Sequence, residues 1–357
     1  MMKKFILLLV LPAVLFFGCA GNQTDKEKGA DKKAPDISKA DKDLLAKAQI
    51  FFKVLPAQAR NPENEITEAK LKLGKMLYYD TRLSKDQTQS CNTCHDIATY
   101  GVDKLPTSPG DNGIPGTRNS PTVFNAALKG AQFWDGRNKD VEQQAGGPIL
   151  NPAEMAIPSE QFLLDRLKKV EMYQKLFAEA YPGENDAFTY KNIRHAIAAF
   201  ERTLLTPAKF DKYLAGDVNA MNAQEKKGLE TFIDQGCIAC HTASVLGGTM
   251  LQKFALFGDY WELTGSKNID YGLFQETNNE TDKFMFYVPG LRNIEKTAPY
   301  FHDGSVSDLK MAIKIMGKAE LNKDLADEQL DEILVFLKTL TGKVPAAAAT
   351  VPVELGR

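Results

Sequence analysis

The chain is short of histidine, with four in 357 residues, and of cysteine, with five. Four of the cysteines and two of the histidines fall in two pentapeptides, Cys91-Asn92-Thr93-Cys94-His95 and Cys237-Ile238-Ala239-Cys240-His241. Only Cys19 remains, so no structural disulfide is available within the chain. An excess of one charge sign is also missing: 44 Lys and Arg against 46 Asp and Glu leave a net charge of −2, which offers nothing to a nucleic acid. Alternating runs of strand length are scarce, which argues against a β-rich fold. The one long apolar run, Phe5 to Phe17, is too short to span a bilayer comfortably.

What the chain does have is two C-x-x-C-H runs. In that pattern two thiols add across the vinyl groups of a haem and the adjacent imidazole ligates its iron. A zinc ribbon is the competing reading, but it needs two C-x-x-C pairs roughly 15–20 residues apart. Here a domain's length separates them, and each is followed directly by His. Cys91, Cys94 and His95, and Cys237, Cys240 and His241, are therefore expected to hold two covalently bound haem c groups.

Basic Lys3 and Lys4, the apolar run and Gly18-Cys19 resemble a bacterial lipoprotein signal, with residues 1–19 ending at a lipidated Cys19. An ordinary secretory signal is the alternative. Either predicts export, so the expected location is the periplasm, with the lipid as a membrane anchor. Residues 20–43 are rich in Lys, Asp, Gly and Ala, the composition of a tether. Helical spacing is expected from Leu44, ending before Pro56.

A weak internal repeat precedes the two motifs, Gly74 with Tyr78 in the first half and Gly228 with Phe232 in the second. Glycine four residues before an aromatic lets two helices cross closely, as in cytochrome c folds. Each half also closes on an amphipathic helix. In the first, Thr189 is the N-cap, Ile193, Ile197, Phe200 and Leu204 form the stripe, and Pro207 stops it. In the second, Leu330, Ile333, Leu334, Leu337 and Leu340 form the stripe, with Gly342 past its end. The expected fold is all-α: two cytochrome c-like domains, 44–206 and 207–345, with long irregular loops and a tail at 346–357. Leu105 to Pro158, rich in proline and glycine, is a long loop suited to build a pocket over the first haem.

The second axial position on each iron separates electron transfer from catalysis. Of the remaining histidines, His195 is expected to face solvent, whereas His302 lies on a loop suited to the second haem. Met250, Met285, Met311 and Met316 are thioether candidates that spacing does not separate, although Gly317 would let the backbone turn close to the ring beside Met316. Glu154, in the pocket loop, could shuttle a proton between the oxygens of peroxide or be a solvated loop glutamate. Trp134 is either a core aromatic or a conductor between haems.

Gly116-Thr117-Arg118-Asn119-Ser120-Pro121-Thr122-Val123-Phe124-Asn125, Phe133-Trp134-Asp135-Gly136-Arg137, Ala199-Phe200-Glu201-Arg202-Thr203-Leu204 and Thr297-Ala298-Pro299-Tyr300-Phe301-His302-Asp303-Gly304-Ser305 resemble the bacterial diheme cytochrome c peroxidases, from about Asn61 to Gly342. The resemblance implies reduction of hydrogen peroxide with electrons from a small donor such as a monohaem cytochrome c, and it is compatible with a homodimer. It implies Met316 as the partner of His241 on the high-potential iron, Glu154 and Gln144 as the acid–base pair beside Pro148, and Trp134 as the aromatic between the haems. It also implies a calcium site from Asn119, Thr297 and Pro299, whose hard oxygens suit Ca²⁺. Asp111 stands where many members carry a histidine that caps the peroxidatic iron at rest. An electron-transfer lipoprotein with no turnover is the rival reading.

Overall fold

The Ser38 hydroxyl accepts from the Asp41 amide at 3.1 Å and starts a helix, Lys39–Phe51, ahead of the expected onset at Leu44. The computed structural model describes residues 38–356; Cys19 and the expected signal lie outside the described residues, as does most of the expected tether. Only the end of that tether, from Ser38, is described, and it is helical from Lys39.

Two helix crossings organise the rest. The Glu68–Tyr79 helix crosses Tyr190–Glu201, and the Ala223–Gln235 helix crosses Asp327–Lys338. Gly74 and Gly228 sit at the two contacts. A Cβ on Gly74 would collide with the Ala196 carbonyl, and one on Gly228 with that of Glu332, so only glycine admits this approach. The aromatic four residues on completes each crossing: Tyr78 meets Phe200 edge-on at 5.3 Å, and Phe232 lies against Phe336 at 5.2 Å. Thr189 caps its helix as expected, accepting from the Asn192 amide at 3.1 Å.

The helix ends differ from expectation. Tyr190–Glu201 stops well before Pro207, and Leu204 is buried beyond it. Asp327–Lys338 is capped by Thr339, so Gly342 is no helix cap. Instead it lies against the Thr206 carbonyl, where a side chain would not fit. Thr206 is itself tied in from both halves: its Oγ1 accepts from Asn125 Nδ2 at 2.8 Å and from Asn293 Nδ2 at 2.9 Å.

Two apolar cores result, and they do not follow the chain order. Leu73, Tyr78, Ile193, Ile197 and Phe200 centre the first; Phe210, Phe232, Ile333 and Phe336 centre the second. The Lys39–Phe51 helix, assigned by sequence to the first half, packs on the second core through Ala48, with Phe52 just past its end. Conversely, the chain end expected as a tail forms a short helix, Ala346–Ala349, and seats Ala348 in the first core. Tyr79 Oη donates to the Ala348 carbonyl at 2.8 Å there. The all-α expectation needs one amendment: β1 (Leu251–Lys253) and β2 (Met285–Tyr287) form a small antiparallel ribbon. No described helix is long and apolar enough to cross a membrane.

Candidate active site

Both C-x-x-C-H runs fold as a single tight turn that leads straight into the imidazole. Cys91–Cys94 is a short helix after Ser90, whose amide donates to Thr93 Oγ1 at 2.9 Å; the His95 amide then closes on the Cys91 carbonyl at 3.0 Å. In the second run Gly236, at φ 97°, ends the preceding helix, and the His241 amide donates to the Cys237 carbonyl at 3.0 Å. All four thiols are free, and burial raises each of them, Cys94 and Cys237 to about 11.

Each imidazole is half-buried and lines a cavity. His241 Nδ1 lies 3.0 Å from the Leu246 carbonyl, which can only accept, so Nδ1 carries the proton and Nε2 keeps its lone pair. Tyr78 Oη donates to the His95 carbonyl at 2.7 Å, while His95 Nδ1 has no hydrogen-bond partner among the described residues. Burial lowers both imidazoles, which favours the neutral, ligating form. A cavity of about 290 Å³ opens over Cys237, Cys240 and His241, and one of about 590 Å³ over Cys91, Cys94 and His95. Paired thiols and a neutral imidazole on the wall of a cavity, largely apolar over His241 and more polar over His95, fit a covalently attached haem at each run.

Met316 lines the His241 cavity, and Met250, Met285 and Met311 do not. Gly317, however, makes no turn. Both residues lie inside the Leu309–Leu321 helix, where Gly317 makes room for Leu325. His302 also lines this cavity and is 2% exposed, stacked on Phe286 at 4.4 Å with Tyr260 edge-on at 5.0 Å. Its Nε2 has no partner among the described residues. His195 lines neither cavity; it is half-buried, where free exposure to solvent was expected.

Glu154, Gln144 and Pro148 come together on the wall of the His95 cavity. Asn151 Nδ2 donates to Glu154 Oε1 at 2.9 Å, and burial pushes the carboxyl above its ordinary range against the lowering pull of Asn151 and Arg137. Glu154 is thus a half-buried acid, not a solvated loop residue.

Asp111 lines neither cavity, although its amide donates to the Glu154 carbonyl at 2.7 Å. Its Oδ1 accepts from Thr88 Oγ1 at 2.5 Å and its Oδ2 from the Asp86 amide at 2.6 Å. Burial acts to raise this carboxyl, but the hydrogen bonds from Thr88 and Asp86 outweigh it and hold the group below the usual range. The side chain is thus clamped to the loop of Asp86 and Thr88.

Trp134 lines both cavities, and its Nε1 donates to the Asn119 carbonyl at 2.9 Å. Asn119, Thr297 and Pro299 share the wall of the His241 cavity. Asn119 Nδ2 is used by the Leu105 carbonyl at 2.9 Å, which turns the donor side of the amide away and leaves Oδ1 as an acceptor.

Glu201 belongs to the site as well, although its sequence position assigned it no task. Glu201 lines the His95 cavity, pushed up to about 8 by burial and by Glu142, with Oε2 unpartnered among the described residues. The signal was present: it stands four residues after Ile197, on the apolar side of its helix.

Residues 68–219 match the family model for di-haem cytochrome c peroxidase. The chain is 43% identical over 314 residues to the cytochrome c551 peroxidase of Pseudomonas aeruginosa, covering 87% of this chain and 90% of that protein. It is 43% identical over 297 residues to the cytochrome c551 peroxidase of Nitrosomonas europaea, covering 82% and 85%. Among solved structures, a MauG-like protein associated with microbial copper homeostasis superposes with a TM-score of 0.73 at 27% identity, covering 84% of this chain and 97% of that one.

Proposed function

The chain belongs to the bacterial di-haem cytochrome c peroxidase family, and from that premise we propose a division of labour between its two cavities. Electrons from a small donor protein such as a monohaem cytochrome c enter on the side of His241 and Met316, and hydrogen peroxide is reduced on the side of His95. Two electrons and two protons convert one peroxide to two waters. Bound at the two motifs, the haem irons would supply the one-electron couples that this requires. The observation that carries the reading is that the two cavities, each with its own C-x-x-C-H run, share the Trp134 wall. On this reading the two cores correspond to two haem domains, 44–206 and 207–345, with the crossed ends described above.

The chain's own residues then have distinct tasks. Glu154 holds a proton on a carboxyl that Asn151 orients, and it takes and returns that proton as the oxygen–oxygen bond breaks. Gln144 offers an uncharged amide on the same wall to position the substrate. Trp134 is held by its bond to Asn119 and bridges the two cavities. Purified protein should carry two haems and oxidise a reduced monohaem cytochrome c in step with peroxide added. Two haems without turnover would make the protein an electron carrier instead.

The clamp on Asp111 leads to an expected result for the resting protein. With Asp111 tied to Thr88 and Asp86, the chain supplies no nearby histidine to cap the iron beside His95. The diferric protein should show one high-spin and one low-spin haem and react with peroxide without a lag. Two low-spin haems, with activity appearing only after partial reduction, would mean that another group caps the iron.

Met316→His should lower the potential of the second haem, because the thioether is the ligand that raises it. An unchanged potential, with a large shift on replacing Met285, would reverse the assignment. A Ca²⁺ held by Asn119 Oδ1 and the Thr297 and Pro299 carbonyls should be removable by chelation, with activity lost and then restored by added Ca²⁺; activity indifferent to chelation would remove the site. Export to the periplasm and anchoring at Cys19 concern residues outside those described. Recovery of the wild-type protein in the soluble periplasmic fraction would rule out the anchor.

A further inference from the structure

One charged side chain at the meeting of the two cavities is unused by the reading above. Lys129 follows the short turn Ala126–Leu128 and lines both cavities, the one charged residue common to their walls among the described residues. Its stem lies along Gly248, where an added Cβ would stand 2.8 Å from Lys129 Cγ, so glycine is what admits the lysine at this depth.

The ammonium has no counter-charge on the chain. No described carboxylate lies within ion-pair distance of Lys129, and Nζ makes no hydrogen bond with any described residue. The cavity acids are engaged elsewhere or face no cation: Asp135 is shared by Arg118 and Arg137, Glu154 is held by Asn151, and Glu201 is unpartnered. Burial alone drags Lys129 down to about 8, with no anion to offset it. Lys129 is half-buried on the cavity wall, and an ammonium partly removed from water without an anion is disfavoured. A lysine kept in such a place points to an anion supplied from outside the chain, and a haem brings carboxylates on one edge of its ring. The chain neighbours of Lys129, namely Ala126, Ala131 and Gln132, line the cavity over His95 and not the one over His241.

We propose that Lys129 pairs with a carboxylate of the haem held by His95, at the seam between the cavities, and thereby raises the reduction potential of that haem. Reduction adds an electron beside the ring, and a nearby cation favours the form that carries it; without the lysine, the carboxylate's own charge opposes it. This rests on the reading that both motifs carry haem.

The test is a spectroelectrochemical titration of both haems in Lys129→Met and Lys129→Arg, with haem content counted in each by the alkaline pyridine spectrum. Lys129→Gln is titrated alongside, so that a folding defect in the Met variant cannot stand in for the electrostatic effect. The neutral variants should shift the oxidation equilibrium of the His95 haem about tenfold toward ferric, equivalent to 59 mV for one electron, while Arg stays near wild type. Two haems with both potentials unchanged, or a shift confined to the His241 haem, would overturn the pairing. Wild-type protein with fewer than two haems would instead overturn the haem reading on which it rests.

Discussion

Glu154→Gln should lower peroxide turnover by roughly 10²–10⁴-fold, the range for a positioned acid–base group, and leave both haem spectra near native. The substitution keeps shape and the acceptor that meets Asn151 Nδ2 at 2.9 Å, so what it removes is the proton. Because burial raises this carboxyl, its protonated form persists above the ordinary carboxylate range. The wild-type rate should therefore lose its acid-dependent component at a higher pH than an exposed glutamate would give, and the Gln variant should lack that limb. A loss of less than threefold in steady-state turnover would put the proton transfer elsewhere.

The largest effect on stability is expected at Arg292. Its guanidinium meets Asp211 at both ends, Nη1 to Oδ2 at 2.7 Å and Nη2 to Oδ1 at 2.8 Å, with side chains only 2% and 7% exposed. The same carboxylate accepts from the Leu55 amide at 2.8 Å and the Ala208 amide at 2.7 Å, so it joins the start of the chain to the beginning of the second half. Removing one partner of a buried pair leaves a charge without compensation, which costs about 3–5 kcal/mol. Arg292→Met should lower the denaturation midpoint accordingly, with the slope of the transition unchanged. Arg292→Lys should recover little, since an ammonium cannot engage both oxygens as the planar fork does. A loss below about 1 kcal/mol in the Met variant would mean that the two amides suffice to hold the carboxylate, as they would for an ordinary hydrogen-bonded group.

The parts of this architecture legible in the sequence were those whose cause is local. Two pentapeptides state their chemistry outright, Thr189 caps the helix that follows it, and the Gly–aromatic spacings at Gly74 and Gly228 mark the crossings. Met316 is set apart from three other methionines by the family resemblance and the neighbouring Gly317, and of the four it is the one that lines the His241 cavity. What escaped notice depends on distant partners. Asp111 is clamped by Thr88, more than twenty residues away, and Gly342 is required by Thr206 across the seam. The paired β strands are three residues each, too short for alternation to register. The placing of the first helix failed for the same reason: an amphipathic pattern tells which face is buried, not which core buries it.

The crossed ends have a consequence for how the molecule is made. The helix at Lys39–Phe51 waits for a core whose last helix ends near residue 338, and the first core waits for Ala348, near the end of the chain. Neither half is finished as a contiguous stretch. These contacts join the most distant parts of the sequence, so they carry the largest loop-closure entropy and belong to the slow, late stage of folding. A chain emerging in order therefore presents Cys91 and Cys94 well before the segment that seals their core exists, so on the haem reading both thiols would be unhindered during that interval. Separately expressed segments ending or starting at residue 206 should each expose apolar surface and bind a hydrophobic dye, whereas the whole chain should not.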